Sequence, residues 1–186
     1  MEKIEIKFFL KMFLPLINPR EGRAALRCLF RHTTAFTLHK GETLFPKNIS
    51  GTVGQIIVVC SGLVNGFLQD NECERTNIWL GQKGSIYICR GQNSPRPEHL
   101  NLEAIEEAIV FLIDHEELEA CYKSHPELAE IFYTYFLPCA MSDVSERNII
   151  FRLPDVAHRI TRFRKFYPGL YERLPKDLLL SYALCG

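Results

Sequence analysis

The chain has 186 residues, 47% of them apolar and 24% charged, with 22 basic side chains against 22 acidic ones. That balance supports one packed core and excludes both a disordered chain and a globally basic nucleic-acid binder. The charge is unevenly placed: 101–130 carries nine acids and one base, and 152–177 carries seven bases and three acids, so two functional regions are expected.

In "MEKIEIKFFLKMFLPLIN", Phe8, Phe9, Met12, Phe13 and Leu16 recur at helical spacing, while Lys3, Lys7 and Lys11 share another face. This reads as an amphipathic helix laid on a larger body. Its charges, and the lack of a small-residue cleavage site after it, argue against a signal peptide, and no stretch reaches the length of a membrane span. "NPREGRAALRCLFRHT" suggests a second short helix with Pro19 near its first turn. From Ala35 to Ile113 the texture becomes short β-rich runs broken by Gly and polar turns, as in a sandwich or barrel. Within that region "SPRPEHLNLEAIEE" reads as a loop with one helical turn.

"DHEELEACYKS" then reads as a short helix, and "SHPELAEIFYTYFLPCAMSDVSERNIIF" as a long one. Ser124 is placed to cap the long helix, Pro126 falls in its first turn, and Pro138 is expected to kink or split it. Leu128, Ile131, Phe132, Tyr135 and Cys139 make an apolar stripe. The stripe reads either as core facing the β-rich region or as the seam of a dimer. Two further short helices, separated around "YPGLYERLP", finish the chain.

Seven cysteines stand at 28, 60, 73, 89, 121, 139 and 185 with no C-x-x-C pair, which reads as reduced thiols in a cytoplasmic protein, not as a disulfide frame or a zinc site. The six histidines are isolated and no H-x-H occurs, so no metal site is expected. G-x-S-x-G, P-loop and G-x-G-x-x-G patterns are all missing, and the chain is not expected to be an enzyme.

Five stretches, in order, resemble the bacterial Crp/Fnr family of transcription regulators: "FTLHKGETLF", "IIVVCSGLVNGF", "WLGQKGSIYI", "SHPELAEIF" and "AHRITRFRKFYPGLYERLP" with the "LLLSYALCG" that follows. The last looks like a branch with divergent ligand sites. The resemblance implies an α+β fold. N-terminal helices and an antiparallel double-stranded β-helix (jelly roll) of the cyclic nucleotide-binding type occupy 1–123. A dimerisation helix follows over 124–151, and an incomplete helix-turn-helix region over 152–186. Leu128, Ile131, Phe132, Tyr135 and Cys139 would then line the dimer helix. The effector cassette falls on Gly84, Ser85, Cys89, Arg90, Arg96, Glu98 and His99.

Cys89 stands where cyclic AMP binders carry a ribose-binding Glu, and Glu98-His99 stand where they carry an Arg-Ser pair. An acid in place of that arginine removes a charge-assisted contact of about 1.5–3 kcal/mol, so ordinary cyclic AMP binding is not expected. No cofactor is certain; a small anionic or nucleotide-like effector is the expected ligand. Arg159, Arg162, Arg164 and Lys165 are candidates for DNA-backbone contacts. The recognition helix that would read bases should follow Gly186, so DNA is a partner without an obvious reader. The expected function is a cytoplasmic homodimeric regulator that senses an effector in the roll and does not touch a membrane. The alternative is a dimeric scaffold that keeps the fold without ligand or DNA.

Overall fold

The computed structural model describes residues 1–17, 22–45, 54–69, 75–89 and 100–184. Two helices open the chain, α1 (Lys3–Phe13) and α2 (Arg23–Arg31). Among the described residues eight strands follow: β1 (Thr33–Leu38), β2 (Thr43–Leu44), β3 (Gln55–Ser61), β4 (Leu63–Gln69), β5 (Arg75–Gln82), β6 (Ile86–Ile88), β7 (Asn101–Ala104) and β8 (Ala108–Asp114). They form two antiparallel four-stranded sheets, ordered β1-β8-β3-β6 and β2-β7-β4-β5. This is the double-stranded roll expected from the sequence. Pro19 lies outside the described residues.

The unbroken apolar runs of β3 and β8 follow from burial on both faces. Ile56, Val58 and Cys60 of β3, with Ile109, Phe111 and Ile113 of β8, point to a core shared with the N-terminal helices. There Phe9 and Phe13 of α1 meet Phe111 with ring centroids 6.1 and 6.3 Å apart. The alternate residues Ile57, Val59, Val110 and Leu112 point into the roll between the sheets, against Val64, Trp79 and Leu102.

Strand β7 replaces the loop and helical turn expected for "NLEA". Its helix-forming residues are held extended by pairing with β4 on one side and β2 on the other, which overrides local propensity.

After β8 come α3 (His115–Ala120), α4 (Pro126–Ile131), a wide helical turn over Phe132–Phe136, and α5 (Leu137–Phe151). His125, not Ser124, is the N-cap of α4, and no side chain caps it. From 126 to 151 the chain stays helical through Pro138. The wide turn, in which the Leu137 amide donates to the Phe132 carbonyl, absorbs the irregularity just before the proline. Three short helices follow, not two: α6 (Val156–Phe166), α7 (Pro168–Arg173) and α8 (Lys176–Leu184). Asp155 caps α6 by accepting the His158 amide. These helices share a third core with Leu63, Leu80 and Ile150, built on Phe163, Leu170, Leu179 and Tyr182.

Candidate functional site

Helix α5 runs past strand β6 and leaves a groove of about 780 Å3 between them. Ile86 and Ile88 form its floor on the β side; Leu137, Ala140, Met141 and Val144 form the helix wall, with Asn148 and Arg152 at one end. A smaller cavity of about 410 Å3 adjoins it and shares Ile86 and Asp143; Lys83, Gly84, Ser85, Cys139 and Tyr167 line it. Leu137, Met141, Val144 and Asn148 recur in steps of four, three and four, so they occupy one face of α5. Along that face Met141 is 62% exposed and Val144 49%, with Tyr133 upstream at 60%, while Leu137 is half-buried against the core shared with the N-terminal helices.

Beneath the groove lies a buried polar network. Arg147, 6% exposed, is held in α5 by Asp143 four residues earlier, with Nε donating to Oδ2 at 3.0 Å. Its guanidinium also donates to the carbonyls of Ile78 (3.2 Å) and Leu80 (2.7 Å) on β5, and to the hydroxyl of Tyr182 on α8 (2.7 Å). Asp143 in turn accepts from Trp79 Nε1 at 2.9 Å and from the Tyr167 hydroxyl at 3.1 Å. One ion pair therefore ties the roll, the long helix and the C-terminal helices together. Burial raises the Tyr167 hydroxyl well above the usual tyrosine range, with the Asp143 charge adding to it, so it stays a donor. Trp79 reaches this position because Gly81 leaves space: a Cβ there would stand 2.5 Å from the indole ring. The Asp143/Arg147 spacing is a helical i, i+4 pair, so the sequence carries a local signal for it.

The residues expected at the effector cassette divide. Gly84 sits in a turn with left-handed backbone (φ +88°). Its amide, however, donates to the Val59 carbonyl, the Ser85 amide to Gln82, and the Ser85 hydroxyl takes the Gln82 amide. The amides a phosphate would need at this turn are thus consumed by the protein itself. Cys89 is buried among the apolar residues inside the roll. Arg90, Arg96, Glu98 and His99 lie outside the described residues.

The stripe expected at the dimer seam faces inward. Leu128 (1% exposed), Ile131 and Phe132 belong to the core shared with the N-terminal helices, and Tyr135 and Cys139 pack against it. The same core continues through the wide turn to Phe136 and Ala140, and the open apolar side chains are others: Tyr133, Met141 and Val144. Of the basic candidates, Arg159 donates to the carbonyls of Leu153 and Ala183, and the Arg162 guanidinium stacks 3.8 Å from the Phe166 ring. Arg164 and Lys165 are exposed on α6.

No protein-family model and no curated protein matches the sequence. Among solved structures, the chain is similar to a transcriptional regulator assigned to the Crp/Fnr family from Eubacterium rectale, with 13% identity over 91% of this chain and 78% of that one, and a TM-score of 0.61. It is also similar to FixK2 from Bradyrhizobium japonicum (15% identity, 82% of each chain, TM-score 0.51). A third is the c-di-GMP-responsive global regulator CLP from Xanthomonas campestris (14% identity, 76% of this chain and 70% of that one, TM-score 0.51). The chain has the Crp/Fnr-type fold, as the five sequence stretches implied. No helix among the described residues is long and apolar enough to cross a membrane.

Proposed function

We propose that the chain is a Crp/Fnr-like regulator that works as a homodimer through the open face of α5. The observation that carries this reading is the set of open apolar side chains Tyr133, Met141 and Val144, exposed on a helical stretch whose Phe132, Phe136, Ala140 and Ile150 are buried. A second copy related by a two-fold axis would cover this row with its own, since such an interface uses the same patch on both subunits.

A small effector would sit in the groove between β6 and α5, where Arg152 and Lys83 are the basic groups near an otherwise apolar wall. It would act by shifting α5, and the Arg147 network would carry that shift to α6, α7 and α8. An ordinary cyclic phosphate is a poor fit, because the amides of Gly84 and Ser85 are already committed. Any attraction to nucleic acid would rest on Arg164 and Lys165 and fall steeply with salt. The alternative, a dimeric scaffold without ligand, differs in needing no occupant of the groove.

Sedimentation of Met141→Asp against wild type tests the dimer: a buried charge at the seam should give a folded monomer, and a wild type that is monomeric would end the proposal. Calorimetry with cyclic AMP and with c-di-GMP tests the groove. Micromolar binding of cyclic AMP would contradict the reading of the Gly84 turn.

A further inference from the structure

Two helical i, i+4 pairs face each other at the edge of the N-terminal helices. Cys28 lies on α2 and His32 caps its C-terminal end; Glu117 lies on α3 and Cys121 caps its C-terminal end. Equal spacing on each helix brings each pair to one face. The Sγ atoms of Cys28 and Cys121 are 2.8 Å apart, and His32 Nε2 stands 3.7 Å from Cys121 Sγ. All three ligand atoms lie within 4.8 Å of one another. The other ring nitrogen of His32, Nδ1, faces Glu117 Oε2 at 3.9 Å.

We propose that Cys28, His32 and Cys121 hold one zinc-class divalent cation, with Glu117 orienting the imidazole through Nδ1 and water completing the coordination. Two sulfurs and one imidazole suit a borderline-soft cation and not calcium or magnesium, which take oxygen ligands. Tetrahedral bonds of about 2.3 Å to sulfur and about 2.0–2.1 Å to nitrogen place sulfur and nitrogen about 3.5 Å apart, close to the His32–Cys121 separation. They place two sulfurs about 3.7 Å apart, so the thiols must spread by about 1 Å, within the reach of side-chain rotation. A carboxylate on the far nitrogen of a ligating histidine fixes its tautomer and strengthens it as a donor. A disulfide between Cys28 and Cys121 would explain the sulfurs but would give His32 and Glu117 no part. The bound cation would clamp α2 to the end of α3, just before the long helix begins. Cys28 and Cys121 are 93 residues apart in the chain, and only the fold joins them.

The test is titration of the full chain, reduced and metal-free, with Co2+ alone. One equivalent of tetrahedral cobalt with thiolate charge-transfer absorption is expected, and Zn2+ should displace it. Cys121→Ser and His32→Ala should abolish the signal, and Cys139→Ser should keep it. Glu117→Gln, a change at an exposed carboxylate that leaves the fold alone, should weaken binding about 10–100-fold. No cobalt absorption in the reduced wild type, or equal binding by Cys121→Ser and wild type, overturns the proposal. So does recovery of a Cys28–Cys121 disulfide from a chain that takes up no cobalt after reduction.

Discussion

Replacing Arg147 by Met keeps most of the apolar stem and deletes the guanidinium that joins three parts of the molecule. Asp143, with its side chain 17% exposed, then keeps its charge with only Trp79 Nε1 and the Tyr167 hydroxyl as partners. The Tyr182 hydroxyl and the carbonyls of Ile78 and Leu80 lose a charged donor at the same time. Removing one member of a buried ion pair costs about 3–5 kcal/mol, because the other is left desolvated and uncompensated. For a chain of this length each kcal/mol moves the melting point by about 2–4 °C, so a drop of about 6–20 °C is expected. Thermal unfolding followed by circular dichroism measures it. Adding Asp143→Asn should restore part of the loss, with a coupling of about 0.5–3 kcal/mol in the double-mutant cycle. A melting point for Arg147→Met within about 2 °C of wild type would show that the network does not hold the C-terminal helices to the roll.

Two further outcomes follow from the packing and the charges. Leu128→Ala should lower monomer stability by about 2–5 kcal/mol in urea without changing the subunit count, since Leu128 is buried within its own chain; dissociation at unchanged stability would return it to the dimer seam. The Arg173 guanidinium, hydrogen-bonded to Glu106, holds that carboxyl below its ordinary 4.5. A depressed folded value means the pair stabilises fully above that ordinary value and loses its effect as pH falls through the folded one. The pair is more than one-third exposed, so its effect is only about 0.2–1 kcal/mol. Urea midpoints at neutral and acid pH should converge between wild type and Arg173→Gln as the pH drops; a constant gap would show that Glu106 plays no part.

The roll was legible in the sequence because its strands carry distinctive signals: the two-sided burial of β3 and β8 produces unbroken runs such as "IIVVC" and "AIVFLI". Strand β7 was not, because Asn101–Ala104 has helical propensity and is strand only through its two neighbours. The apolar stripe from Leu128 to Cys139 was found, but its direction was not: periodicity shows that a face is apolar, not which body covers it. The wide turn over Phe132–Phe136, through which the buried face continues to Ala140, appears only in the fold. The groove, the Arg147 network and the Cys28–His32–Cys121 cluster each join residues far apart in the chain. Their local traces are helical spacings: Asp143/Arg147, Cys28/His32, Glu117/Cys121 and the groove-wall row from Leu137 to Asn148.

Whether α5 pairs with α5 is tested most directly by a cysteine placed in the open row. Val144→Cys in the full chain, oxidised mildly and run without reductant, should give a covalent dimer in high yield, because the proposed seam lays α5 of one copy in parallel and in register along α5 of the other, with position 144 at the two-fold axis. Leu180→Cys, exposed on α8, should remain at the wild-type level. Equal cross-linking at both positions, or none at 144, would contradict the dimer.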